Sequence, residues 1–104
     1  MSLLSFFGFG NSKVKNALRR GAIVIDVRTP QEFDQGKVPG SINIPVDRIA
    51  ANSERIKIMK RPVVFCCASG MRSGNAVSIM KGKGLKEGYN GGSWYNVLKI
   101  LKTL

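Results

Sequence analysis

Two apolar segments, Ala22–Ile25 and Val63–Cys66, constrain the fold more than any other feature of the sequence. Both are rich in β-branched or aromatic residues, and neither alternates with polar positions. This pattern is typical of strands that are buried on both faces, as in a parallel sheet with helices on each side. The sequence therefore predicts an α/β fold.

Segments with helical spacing alternate with these strands. The segment 29–32 has the residues of a capping box, with Thr29 as the cap, Pro30 in the first turn and Glu32 as the third helical residue. The other predicted helices begin at Ser12, Ser73 and Ser93, and further short strands are predicted at Ser41–Ile44 and Glu87–Asn90. We expect a central, largely parallel sheet of about four or five short strands with helices on both faces.

The chain has 104 residues, which fits one domain. We divide it into an apolar N-terminal arm, residues 1–11, and the domain, residues 12–104. The arm lacks a basic segment and a cleavage site, and it is too short to span a membrane. We therefore expect a cytoplasmic protein whose arm packs on the domain, although a weak membrane or partner contact stays open. The arm residues expected to pack are Leu3, Leu4, Phe6 and Phe7.

The composition excludes several kinds of site, because the chain has no histidine and only two cysteines, Cys66 and Cys67. A Ser/His/Asp triad, a Cys/His dyad and a histidine-ligated metal site cannot form within this chain. Two adjacent thiols are poorly placed for a disulfide, which favours free thiols in a reducing compartment. We predict neither a metal nor a cofactor.

Positive charge dominates, with 17 Lys and Arg against 6 Asp and Glu, which gives a net charge of +11. The basic clusters are not interleaved with aromatic residues, so we interpret them as a solvated face rather than a nucleic-acid site. A field of this sign also concentrates small anions near an open site.

The segment after the second apolar strand is the best candidate for a site, because ligands of open α/β sheets collect at the carboxyl ends of strands. There a loop leads directly into a helix, so its N–H groups and the helix dipole can hold an anion and stabilise a thiolate. Gly70 permits the tight turn, and Arg72 can add a bidentate donor. The alternative is that two buried cysteines end a core strand and the loop only connects two elements.

Several segments resemble, in the same order, the rhodanese family of single-domain sulfurtransferases. The resemblance extends from about residue 21 to about residue 94. The matching segments are Ile23–Phe33 with its Asp-x-Arg, Gly36–Pro45, Cys67–Ser73 with its Cys-x-x-Gly-x-Arg-Ser, and Gly91–Trp94 with its Gly-Gly.

The resemblance implies a rhodanese-like domain that transfers a sulfane sulfur from an anionic donor such as thiosulfate to a thiophilic acceptor. The acceptor would be cyanide in an assay and a thiol in the cell, and a sulfur-accepting protein is a further partner to consider. The resemblance implies that Cys67 carries the sulfur as a persulfide and that Asp26 and Arg28 support the loop. The implied substrate-binding loop consists of Ala68, Ser69, Gly70, Met71, Arg72 and Ser73.

The position of Gly70 selects the nucleophile. It is the third residue after Cys67, as in the family motif, whereas counting from Cys66 gives the Cys-x5-Arg spacing of phosphatases but misplaces the glycine. We therefore predict that Cys67 reacts and that Cys66 is a core thiol or a resolving thiol. Two other functions stay open: a binding module without catalysis, and a phosphatase that uses Cys66.

Overall fold

A four-stranded parallel sheet forms the centre of the molecule within the part of the chain that is described. The computed structural model describes the backbone of residues 3–104 and the side chains of residues 11–104. The strands are β1 (Ile23–Asp26), β2 (Ile42–Asn43), β3 (Val63–Cys67) and β4 (Gly88–Ser93). The helices are α1 (Leu3–Arg19), α2 (Pro30–Gln35), α3 (Ser53–Ile58), α4 (Met71–Gly82) and α5 (Trp94–Lys102).

The strand order is β2-β1-β3-β4, so β3 lies inside the sheet between β1 and β4. Every residue of β1 and β3 is buried, which confirms that these apolar segments are covered on both faces. Two short 3-10 turns, Val46–Arg48 and Ala50–Asn52, connect β2 to α3. Among the described residues, no helix is long and apolar enough to cross a lipid bilayer.

Two apolar layers cover the sheet, and neighbouring residues of β3 belong to different layers. Phe65 and Cys67 pack in the layer with the residues of α3 and α4. Val64 and Cys66 pack in the opposite layer with the residues of α1 and α5. This separation follows from the strand geometry, because successive side chains of a strand point to opposite faces.

The predicted starts of α2 and α5 are confirmed by their caps. The Thr29 hydroxyl accepts a hydrogen bond from the Glu32 N–H at 3.2 Å, and a Glu32 carboxylate oxygen accepts one from the Thr29 N–H at 3.0 Å. The Ser93 hydroxyl oxygen accepts a hydrogen bond from the Asn96 N–H at 3.0 Å. Local hydrogen bonds therefore fix both helix starts, as the sequence pattern indicated.

Several predicted boundaries are wrong: α4 begins at Met71 rather than at Ser73, and β2 spans Ile42–Asn43 rather than Ser41–Ile44. Helix α1 begins at Leu3 rather than at Ser12, because the apolar segment before Ser12 continues the helix and Ser12 becomes an interior residue. The packing predicted for Leu3, Leu4, Phe6 and Phe7 lies outside the described side chains, and the division of the chain at residue 12 stays a prediction.

Strand β4 also differs from its prediction, since it spans Gly88–Ser93 rather than residues 87–90. Glycines usually indicate the end of a strand, but here the strand needs one. A Cβ at Gly91 would lie 2.6 Å from the Val97 side chain, 2.7 Å from the Val64 side chain and 3.1 Å from the Phe65 carbonyl oxygen. The missing side chain lets β4 pack between β3 and α5.

Replacing Gly91 with alanine should therefore destabilise the fold. We expect Gly91→Ala to lower the free energy of unfolding by about 1–3 kcal/mol, the usual cost of overpacking a core. Urea denaturation followed by circular dichroism measures this difference. Gly82→Ala is the matched control, because a Cβ at Gly82 meets no atom within 4 Å. Equal stability of Gly91→Ala and the wild type would contradict the packing described here.

Candidate active site

The candidate site lies where β3 ends at Cys67 and α4 begins at Met71. Residues 68–70 form the connecting loop. Gly70 has a φ of 103°, a left-handed conformation that favours glycine. The Ala68 and Ser69 side chains of the predicted loop are exposed, as is that of Met71, whereas Ser73 is buried in the first turn of α4.

Hydrogen-bond donors of the loop converge on the Cys67 sulfur. The Gly70 N–H donates to Sγ at 3.0 Å, and the Ser73 N–H donates to it at 3.4 Å. The Ser73 hydroxyl oxygen also lies 3.4 Å from Sγ. The start of α4 adds the positive end of a helix dipole, so the surroundings of this sulfur favour a negative charge.

Burial and hydrogen bonding have opposite effects on the pKa of Cys67. Burial raises the pKa of the thiol, but hydrogen bonds from the Ser73 side chain and from the N–H groups of Ser73, Gly70 and Ser69 together lower it further. The net pKa of Cys67 is below that of an ordinary cysteine. Because the thiolate is the nucleophilic form of cysteine, these hydrogen bonds favour the reactive form of Cys67.

Cys66 has a different environment. It is fully buried in the layer under α1 and α5, on the opposite side of the sheet from Cys67. Burial and the nearby charge of Asp26 raise the pKa of the Cys66 thiol far above its usual value. Cys66 therefore has the surroundings of a core thiol, and this geometry gives no support to a phosphatase that uses it.

Arg72, which was expected to bind an anion, is paired with a carboxylate in this structure. Its two terminal nitrogens donate to the two carboxylate oxygens of Glu32 at 2.7 and 3.0 Å. These bonds, together with that from the Thr29 N–H, lower the pKa of Glu32 to about 2. Glu32 therefore caps α2 and also anchors the first turn of α4, a second role that its place in the capping box did not indicate.

Asp26 and Arg28 form a buried ion pair beside the loop. The Arg28 guanidinium donates to both carboxylate oxygens of Asp26, and the shortest distance is 2.7 Å. It also donates to the carbonyl oxygens of Gly36 at 2.6 Å and Glu32 at 3.3 Å. The pair therefore fixes the position of α2, which carries the Glu32 carboxylate that holds Arg72.

Trp94 packs against this ion pair, since the Arg28 guanidinium carbon lies 5.1 Å from the centre of its ring. Two polar residues of the site were not predicted from the sequence as site residues. Asn43 donates to the carbonyl oxygens of Asp26 and Arg28, both at 2.9 Å. Asn90 contacts Gly70 and Ser73. Asn43 and Asn90 each lie in a predicted short strand, and a polar side chain in such a strand was the sequence signal that could have identified them.

Fold and site together define an α/β domain in which a cysteine with a lowered pKa ends a strand, next to a loop that leads into a helix. The Rhodanese-like domain family matches residues 11–98, so the chain belongs to this family. The resemblance found in the sequence motifs is thereby confirmed.

Three proteins illustrate the similarity. The thiosulfate sulfurtransferase GlpE of Pseudomonas syringae is 33% identical over 75 residues, covering 71% of this chain and 70% of that protein. The uncharacterized protein YqhL of Bacillus subtilis is 38% identical over 71 residues, covering 68% of this chain but only 56% of that protein. A structure described as rhodanese with anions from E. coli has a TM-score of 0.68 and 30% identity, covering 73% of this chain and 91% of that one.

The pairing of Glu32 and Arg72 should make stability depend on pH. A carboxyl group with a lowered pKa stabilises the fold above its unfolded pKa of about 4.5, and this contribution is lost as the pH falls towards 2. We expect Glu32→Gln to lower the free energy of unfolding at pH 7 by about 1 kcal/mol, since each side chain is 36% exposed and solvent screens the pair. The difference from the wild type should shrink between pH 4.5 and pH 2.

Urea denaturation of Glu32→Gln and of the wild type at pH 2 and at pH 7 measures this effect. The glutamine keeps an oxygen that can accept from the Thr29 N–H, so the substitution removes mainly the charge. Glu54→Gln is the control, because Glu54 is 79% exposed and pairs only at the surface, with Lys57. A loss of stability that is the same at pH 2 and pH 7 would rule out the carboxylate charge as its source.

Proposed function

We propose that this protein is a sulfurtransferase that carries a sulfane sulfur as a persulfide on Cys67. The observation that carries the proposal is the convergence of the Gly70 N–H, the Ser73 N–H and the Ser73 hydroxyl on the Cys67 sulfur. Membership of the rhodanese-like family and the similarity to a protein named thiosulfate sulfurtransferase support the same chemistry.

In the first step, the Cys67 thiolate attacks the outer sulfur of a donor such as thiosulfate. A bond forms between the two sulfurs, the S–S bond of thiosulfate breaks, and sulfite leaves with the electron pair. The terminal sulfur of the persulfide then carries a negative charge. N–H groups of the loop residues Ala68–Ser73 would hold this charge, because preorganised donors stabilise a developing anion.

In the second step, an acceptor attacks the terminal sulfur and Cys67 leaves as a thiolate. Cyanide would give thiocyanate in an assay, and a thiol would give an acceptor persulfide in the cell. A sulfur-accepting protein is one form that this thiol could take. The same low pKa that makes Cys67 a nucleophile also makes it a good leaving group, so both steps use one property of the loop.

Arg72 is the proposed binding group for the anionic donor. Its guanidinium would exchange Glu32 for the donor, or bind it with nitrogens that Glu32 does not use. The net charge of +11 would raise the local concentration of anions, so activity should fall as salt is added. The description of the related E. coli structure as rhodanese with anions agrees with an anionic donor.

The cytoplasm is the proposed location, because both cysteines are free and this chemistry requires reduced thiols. Cell fractionation tests this part of the proposal, and recovery of the protein in an oxidising compartment would contradict it.

The direct test is the intact mass of the protein after incubation with thiosulfate and removal of excess donor. We expect the wild type and Cys66→Ser to gain the mass of one sulfur atom, and Cys67→Ser to gain none. Cyanide should then remove the added mass and release an equivalent amount of thiocyanate.

Cys66→Ser is the matched control, because it removes the adjacent thiol and leaves the loop unchanged. Sulfur bound at Cys66 instead of Cys67 would overturn the assignment of the nucleophile. If no variant gains sulfur from thiosulfate or from a polysulfide donor, the protein is a binding module with a rhodanese-like fold.

A further inference from the structure

The side chain of Asn90 connects strand β4 to the residues that surround the Cys67 sulfur. Its amide nitrogen donates to the Gly70 carbonyl oxygen at 3.0 Å. Its amide oxygen accepts hydrogen bonds from the Ser73 hydroxyl at 2.7 Å and from the Gly92 N–H at 2.9 Å. Both Gly70 and Ser73 also contact the Cys67 sulfur.

The shape of β4 brings this amide to the loop. The pairing of β4 with β3 shifts register between Phe65 and Cys67, and Gly92 has a left-handed φ of 77°. Helix α4 allows the close approach, because a Cβ at Gly74 would lie only 3.1 Å from the Asn90 amide nitrogen. Gly92, with its left-handed φ, and Gly74 therefore both serve the position of the Asn90 side chain.

The hydrogen-bond partners also fix the orientation of the amide. A carbonyl oxygen can only accept and a backbone N–H can only donate, so Gly70 and Gly92 determine which end of the Asn90 amide is nitrogen. The amide oxygen therefore faces Ser73. The single hydroxyl hydrogen of Ser73 has two acceptors within reach: the Asn90 oxygen at 2.7 Å and the Cys67 sulfur at 3.4 Å.

Ser73 is fully buried, so its hydroxyl needs an acceptor in every state of the protein. The Cys67 sulfur is a strong acceptor only when it is a thiolate. As a thiol, or as the inner sulfur of a persulfide, it is uncharged and accepts weakly. A second acceptor is therefore required in the uncharged states, and the Asn90 oxygen provides it.

We propose that Asn90 is a positioning residue that holds the Ser73 hydroxyl hydrogen while the Cys67 sulfur is uncharged and releases it when the sulfur becomes a thiolate. In the thiol state, the Cys67 S–H donates to the Ser73 oxygen and the Ser73 hydroxyl donates to Asn90. In the thiolate state, the Ser73 hydroxyl turns to the sulfur, and the Asn90 oxygen keeps the hydrogen bond from Gly92. No bond to a heavy atom forms or breaks in this change.

This inference rests on the proposed function, since it assigns Asn90 to the same nucleophile. It gives the hydroxyl a partner at each stage: the sulfur before attack, Asn90 while the persulfide exists, and the sulfur again after transfer. By stabilising the uncharged states, Asn90 opposes ionisation of Cys67, whereas Ser73 favours it. The two neighbouring residues are thus expected to act on the thiol in opposite directions.

Other charged groups near the loop include two ion pairs and Lys13 of α1, which lines the cavity beside Ser69, Gly70 and Asn90. Arg72 of α4 pairs with Glu32 of α2, and Arg28 pairs with Asp26 of β1. Cys66 faces the other layer of the core. These groups contribute a background field that the Asn90 and Ser73 substitutions leave in place.

The test is the pH dependence of Cys67 alkylation by iodoacetamide, measured by mass spectrometry of the peptide that contains Cys67. We expect Asn90→Ala to move the midpoint of the profile to lower pH by about half a unit to one unit, the size of one hydrogen bond. Ser73→Ala should move the midpoint to higher pH. The midpoint of the double variant should equal that of Ser73→Ala, because Asn90 acts on the thiol only through the Ser73 hydroxyl.

The direction of the shift separates this role from a structural one. If Asn90 only maintained the loop conformation, Asn90→Ala would disperse the N–H donors around the sulfur and raise the midpoint of the alkylation profile. The rise would occur both in the wild-type background and in the Ser73→Ala background. That result would overturn the proposal. An unchanged midpoint in Asn90→Ala would overturn it as well. Asn96→Ala is the matched control, because the Asn96 amide donates to the Gly91 carbonyl oxygen and not to the loop.

Asn90→Asp provides a second variant should Asn90→Ala fail to fold. The carboxylate of this variant accepts from the Ser73 hydroxyl more strongly than the Asn90 amide does, so the midpoint of the alkylation profile should rise. The rise should be smaller in the Ser73→Ala background, because that background lacks the hydroxyl. Equal rises in both backgrounds would contradict the proposal. The profiles require no sulfur donor, so failure of sulfur transfer and failure of this inference give distinguishable results.

Discussion

The opposite orientation of neighbouring side chains along β3 is the constraint on which the site depends. Because β3 is buried on both faces, each of its residues must enter one of two separate apolar layers. The two adjacent cysteines therefore have different chemistry. Cys67 is surrounded by hydrogen-bond donors of the loop, whereas Cys66 is enclosed by core side chains. One position along a strand therefore decides which thiol lies among donors that favour a thiolate.

The loop is supported from both neighbours of β3 in the sheet. On the β1 side, the buried pair of Asp26 and Arg28 fixes α2, and α2 holds Arg72 through Glu32. On the β4 side, Asn90 holds Gly70 and Ser73. A central strand thus gives its loop two independent supports, which an edge strand could not do. These supports preorganise the donors around the Cys67 sulfur.

The sequence predicted those features that depend on local patterns. The two buried strands, the capping box at Thr29 and the cap at Ser93 each follow from residues close together in the chain. The contacts that complete the site are not local: Arg72 and Glu32 are 40 residues apart, and Ser73 and Asn90 are 17 apart. The extension of β4 through Gly91 depends on the packing of Val64 and Val97, which glycine's low strand propensity does not reveal.

The arrangement of the two cysteines also determines how the protein responds to oxidants. A sulfenic acid at Cys67 would need a second thiol to resolve it, and Cys66 lies on the other side of the sheet. The chain has no third cysteine. Repair of an oxidised Cys67 therefore depends on a thiol from another molecule, which ties recovery from oxidative damage to the cellular thiol pool.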